Sequence, residues 1–490
     1  MSRKSWKYRA AALAMAAMLP ALAACETAPA TGATFFGAGM TPEQERRVAA
    51  EEHPKLVEQF GGEYENEDVR RYVSSLGNLL AQTSEMPDLD WTFTVLDSPV
   101  VNAFALPAGY VYVTRGLLVL GDNEAQLAGV LGHEIGHVTA RHSAQRYGTS
   151  ILAGVVGLAT GVAVGQEASQ AVGMLSQVAL SSYSRSHEFE ADMLGVRYTS
   201  RSGHDPDGMA QFLGKMQQES RLQAELRGDP EAADRFSLLQ THPRTVDRVR
   251  EAREAAGVAP VQDPIIGRDV YLSKLDGVTV EDSAEQGFVR DRRFLHPELR
   301  FAFEVPDEFR LFNSSTQVLA MGPDNALIIF DAAGRDAQGD PLRYMTEQWA
   351  SGTRLDATER LEIDGMRAAT GRTRINTQQG PRDVRLVAIR FDDTTMYRFM
   401  FLTPPNLTAR LSEPLRRTTH SFRRLSEQEA AALEPYRLTI HEVQPGETVA
   451  DLAARTPYAE LRERRFRVLN GLEPGEEVQA GQKVKLVTGG

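Results

Sequence analysis

Two histidines four residues apart, His133 and His137 in the hexapeptide GHEIGH, bracket Glu134. On an α-helix residues i and i+4 share a face, so both imidazoles can present a nitrogen to one metal ion. Glu134 falls about 100° round the helix from His133 and shares a stripe with Leu127, Leu131 and Val138. Partial desolvation there raises a carboxyl pKa towards the range useful for a general base. A third ligand is needed. The solution with glycine at 140 and histidine at 143 is not met, because the chain has Ala140 and Ser143, and His142 comes one place too early. The segment SRSHEFEAD, residues 184–192, offers another: Glu188 and Asp192 are again i and i+4. Glu188 can complete the His₂Glu set that catalytic zinc prefers, while Asp192 orients a ligand histidine from behind. His187, about 100° round from Glu188, reads as a bystander.

The elements that must position these groups follow from periodicity. Asn123 with Gln126 three residues on resembles a capping box, opening a helix to about Arg146 with Leu127, Val130, Leu131, Ile135 and Val138 as its apolar positions. Upstream, helical periodicity runs from Pro42 to about Thr83, and WTFTVL, AFALP and YVYVT read as a small antiparallel meander with an exposed edge around 102–106. Downstream come a Gly-rich apolar stretch (151–164), helices over 169–201 and 207–227, and a last one after Pro243. The expectation is one mainly helical α+β domain with a small antiparallel sheet at 41–260.

The chain has 490 residues, 42% of them hydrophobic, enough for several domains. Its formal charge of −12, from 54 basic and 66 acidic residues, leaves no positive excess to gather phosphates, so nucleic acid is not expected as a partner. Residues 1–24 read as an export signal: a basic start, a short apolar run, then LAAC, which resembles a bacterial lipobox. That resemblance implies cleavage before Cys25, the single cysteine, and its acylation, giving a periplasmic lipoprotein tethered to the outer membrane in preference to the inner. Residues 25–40 read as a small-residue linker. Residues 264–425 are strand-rich with one helix at LRYMTEQWAS, a second α+β domain of unassigned role. Residues 436–488 have the order strand, helix, helix, strand and resemble a LysM module in VQPGETVADLA, VLNGL and VQAGQKVKL, which implies peptidoglycan as a partner, although the insert ELRERRF departs from that pattern.

Four segments together resemble one known family, the gluzincin peptidases of the β-barrel assembly-enhancing protease, HtpX and CAAX prenyl protease group. They are NAFALPAGYVYVTRGLL from Asn102, HEIGH from His133, SRSHEFEAD from Ser184 and THPRTVDRV from Thr241. The resemblance implies one zinc ion per chain on His133, His137 and Glu188, with Glu134 as general base. It further implies His242 as a latency plug at the open metal position and Arg248 facing the site to steady an oxyanion. The function expected is a membrane-anchored periplasmic endopeptidase acting on unfolded or misassembled envelope proteins. A second reading, from another class, is a chaperone-like or peptidoglycan-associated lipoprotein whose zinc stays plugged.

Overall fold

A computed structural model describes residues 25–36, 41–146, 183–226, 250–254, 261–334, 337–377 and 380–490. The export signal, the Gly-rich stretch 151–164 and the THP segment with His242 and Arg248 lie outside the described residues. The chain divides into two units. The first comprises Met1–Glu58, Gly62–Val278 and Leu438–Thr488; the second is built on Thr279–Arg437.

In the first unit the helical periodicity expected from 42 to 83 is split into α1 (Pro42–Gln59) and α2 (Glu67–Gln82). Gly62 between them has φ 95°, a left-handed conformation that ends a helix. Asn66 then restarts it, its side chain accepting the Val69 N–H. The residues after Cys25 are not a plain linker: β1 (Cys25–Thr27) pairs antiparallel with β2 (Thr34–Phe36).

The small sheet also departs from expectation. Its strands β3 (Thr92–Leu96), β4 (Ala103–Leu106) and β5 (Tyr110–Thr114) run in the order β3–β5–β4. β4 and β5 are antiparallel, joined by the tight turn Pro107–Gly109, but β3 and β5 are parallel. The sheet is therefore mixed, not an antiparallel meander. The strands differ little in local pattern; what decides is that the β4–β5 hairpin folds back so that β5, almost wholly buried, takes the centre. β3 and β4 are the two edge strands; β4, expected as an exposed edge, has all four of its residues buried.

Two further parts of the chain join this unit. Helix α7 (Arg268–Leu275) was not expected, and its residues, assigned from the sequence to the second domain, belong here: fully buried Tyr271 donates to the Leu118 carbonyl at 2.6 Å. The C-terminal elements Tyr436–Glu442, Val449–Ala454, Arg462–Asn470 and Lys483–Thr488 keep the strand, helix, helix, strand order. From Leu438 onwards they do not stand apart as a module. Lys485 is wholly buried and donates to the carbonyls of Val119, Leu120 and Gly121 at 3.0, 3.0 and 2.7 Å.

The second unit holds a seven-stranded antiparallel sheet in the order Arg310–Asn313, Gln317–Met321, Leu327–Ala332, Met396–Thr403, Gly380–Arg390, Met366–Thr377, Asp356–Ile363, and a four-stranded antiparallel one in the order Arg423–Arg424, Phe301–Glu304, Arg293–His296, Phe288–Arg290. Phe301, Phe303, Phe330, Tyr397, Phe399 and Phe422 centre its core. The expected helix at LRYMTEQWAS is present as Pro341–Tyr344 followed by a π-helical turn, Met345–Trp349. The helix Thr408–Ser421 was not expected: Pro414 inside it masks a regular buried stripe of Leu411, Leu415, Thr418 and Thr419. Among the described residues no helix is long and apolar enough to cross a membrane.

Candidate metal centre

The helix carrying GHEIGH is α4 (Glu124–Thr139), and its start is well specified. Asn123 accepts the Gln126 N–H at 2.9 Å, the expected N-cap. The return bond differs from a capping box: Gln126 Oε1 accepts from the Asp122 N–H, also at 2.9 Å, one residue further back. Every residue from Ala125 to Thr139 is buried, so α4 is the central helix of its unit and not a half-exposed amphipathic one. Glycines let neighbours come close. A Cβ at Gly132 or Gly136 would sit 3.1 or 3.0 Å from the Gly195 and Ala191 carbonyl oxygens of α5 (Arg185–Arg201). One at Gly129 would clash with Met209 of α6 (Gly208–Leu226).

That close α4–α5 approach brings the two sequence-predicted segments together. Side-chain atoms of His133, His137 and Glu188, all buried, lie within 4.8 Å of one another. Nε2 of His133 and Nε2 of His137 are 2.9 Å apart, and the Glu188 oxygens lie 3.8 Å from the first and 3.5 Å from the second. A tetrahedral zinc with bonds of about 2.0–2.1 Å needs ligand–ligand edges of about 3.3 Å, and these separations bracket that length. The protonation pattern fits as well. Asp192 Oδ1 sits 2.7 Å from Nδ1 of His133, a separation that suits a proton on Nδ1 and an Nε2 lone pair free for the common point. Two imidazoles and a carboxylate facing one another in a buried space suit a cation.

Glu134 is fully buried on the same helix. His137, Val138 and Arg141 line a cavity of about 260 Å³ together with Ala105 and Leu106 of β4, so the edge strand and the metal-facing helix share one hollow. His187 is not among the clustered donors: its Nε2 meets Gln145 Oε1 at 3.1 Å, and burial pulls its pKa down to about 4.

Sequence reasoning missed Tyr183. Its ring stacks on His137 with centroids 4.0 Å apart, its hydroxyl meets Ser143 Oγ at 3.2 Å, and burial pushes its pKa up to about 12. Arg146 lies over its ring. The sequence placed it inside a helix over 169–201, but Ser184 N-caps a helix that starts at Arg185, so Tyr183 precedes the helix and helical spacing carried no signal for it.

Residues 67–256 match the model of peptidase family M48. The β-barrel assembly-enhancing protease of Yersinia pestis is 32% identical over 215 residues, 42% of this chain and 42% of that protein. Its Escherichia coli K12 counterpart is 30% identical over 231 residues, 45% of this chain and 46% of that protein. The mitochondrial metalloendopeptidase OMA1 of Schizosaccharomyces pombe is 26% identical over 212 residues, 43% of this chain and 60% of that protein. The chain thus spans about half the length of these curated relatives.

Proposed function

We propose that this chain, whose residues 67–256 match the model of peptidase family M48, is a zinc-dependent endopeptidase of the bacterial cell envelope. In this reading His133, His137 and Glu188 hold the metal and Glu134 moves the proton. The observation that carries it is the meeting of three buried donor side chains from two separate helices within 4.8 Å. Bound zinc supplies a Lewis acid for the scissile carbonyl and lowers the pKa of water towards 7.

The remaining work falls to the chain. Glu134 takes the proton of the attacking water and returns it to the leaving amine, ending as the carboxylate it began as. Asp192 keeps the His133 ring oriented by fixing its Nδ1 proton. Arg248 steadies the oxyanion, and His242 restrains the site by taking the open metal position. The outer backbone edge of β4, beside the cavity that His137 lines, accepts an extended segment as an added strand. Such docking selects unfolded or misassembled proteins, whose backbone groups are still available. Relatives named for β-barrel assembly support envelope substrates of this kind. Acylation at Cys25 would hold the enzyme at the membrane, the outer one in preference, and the C-terminal LysM-like segment would add a peptidoglycan contact.

The test is hydrolysis of casein by the mature chain. Activity is expected to disappear with a zinc chelator, to return with one equivalent of zinc, and to rise several-fold in His242→Ala, since an internal ligand no longer competes. No cleavage by either protein, zinc-loaded, would favour the plugged binding lipoprotein instead.

A further inference from the structure

We propose that His142 and Glu190 form a relay that sets the tautomer and orientation of His137, a role that rests on the metal-site reading above. His142 is wholly buried, and its Nδ1 lies 2.8 Å from Nδ1 of His137. Its other nitrogen, Nε2, lies 3.1 Å from Glu190 Oε2. An ionised carboxylate can only accept, so the tautomer of His142 that suits Glu190 has its proton on Nε2 and leaves Nδ1 as an acceptor. His137 must then be the donor between the two rings, with its proton on Nδ1. That leaves the Nε2 lone pair of His137 for the point it shares with His133 and Glu188. Each ligand histidine thus has its own support from behind: Asp192 directly on His133, and Glu190 through His142 on His137.

The backbone is shaped for this contact. On a continuous helix residue 142 would lie about 140° round from residue 137, well off its face. Arg141 breaks the helix with φ 54°, a left-handed conformation unfavourable for a residue other than glycine, and returns His142 to His137. Ion pairs to Glu45, at 3.2 Å, and to Glu26 hold Arg141 in place. Stacking on His187, with centroids 4.4 Å apart and planes at 16°, keeps the His142 ring from turning. The spacing that rules His142 out as a metal ligand therefore suits a positioning residue one layer behind.

The test measures zinc affinity of the full mature chain by competition with a chromophoric chelator, with thermal unfolding of the apoprotein alongside. His142→Leu is expected to weaken zinc binding about 10–100-fold, the usual cost of losing a support behind a ligand. His142→Asn, whose Oδ1 can still accept from His137, is expected to recover most of that loss. Glu190→Ala is expected to cost less, about threefold to tenfold. The double variant His142→Leu/Glu190→Ala should bind no more weakly than His142→Leu alone, because Glu190 acts only through His142. Unchanged zinc affinity with a less stable apoprotein would overturn the relay, as would additive losses in the double variant. Should His142→Leu fail to fold, Glu190→Ala decides, since the Glu190 side chain is 22% exposed and tolerates truncation. A wild-type chain that binds no zinc would instead remove the metal-site reading itself.

Discussion

Glu134→Gln is expected to lower kcat/KM on an unfolded protein by about 10²–10⁴-fold while leaving one zinc per chain. Glutamine keeps the size and the hydrogen-bonding shape of the side chain but cannot take a proton. The three donor residues are untouched, so the loss should fall on kcat with little change in KM. Full burial of Glu134 on the ligand-bearing helix supports a residue that works on protons in a dry site and not on solubility or packing. Retention of activity within tenfold, at full zinc occupancy, would assign the proton transfer to another group.

The second large effect is on stability. Lys485→Met is expected to destabilise the first unit by about 3–5 kcal/mol, the range for removing one partner of a buried ion pair. Lys485 Nζ satisfies three carbonyls at the end of the short helix α3 (Arg115–Leu120) and lies 3.1 Å from Asp122 Oδ1. Lys215 reaches the same carboxylate and also the Leu469 carbonyl at 2.8 Å. Burial alone would raise the Asp122 carboxyl; the ammonium groups of Lys215 and Lys485 instead bring it down to about 2. Methionine matches the volume of lysine but leaves those carbonyls unsatisfied.

Because the folded pKa of Asp122 is depressed, its contribution is present above the ordinary carboxylate value of 3.8 and is lost as pH falls through about 2. Urea unfolding at pH 7 and across pH 4 to 2, with hydrogen exchange at residues 117–126, measures both effects. A change below about 1 kcal/mol at pH 7 would mean the C-terminal segment is only loosely held. Since Asp122 immediately precedes the N-cap of α4, removing residues 436–490 is expected to disturb the metal-bearing helix and not merely a tether.

The site was far more legible than its surroundings, for physical reasons. A metal site needs particular side chains at helical spacing, and His133 with His137, then Glu188 with Asp192, carry that spacing openly. The structure brings all four together through glycines at the α4–α5 contact. Strand order carries no such local mark, so the parallel pairing of β3 with β5 could not be read from three similar runs. Lys485 is illegible for a different reason. In QKVKLV, strand alternation buries Val484 and Leu486 and turns Lys485 outwards, which for a free module means into water. Here it means into the carbonyls of Val119, Leu120 and Gly121, a destination only the tertiary fold supplies. His142 was set aside because it comes one place too early to be the third ligand; the left-handed turn at Arg141, invisible to periodicity, brings it against His137 instead.

The decisive measurement is where the metal binds. Crystals of the mature chain grown with one equivalent of zinc, with diffraction recorded on both sides of the zinc absorption edge, would show this directly. One anomalous peak is expected, about 2.0–2.2 Å from Nε2 of His133, Nε2 of His137 and a Glu188 oxygen. It should be absent from Glu188→Ala crystals at the same zinc concentration. A peak elsewhere in the wild-type chain, or a density map with Glu188 turned away from both histidines, would contradict the assignment.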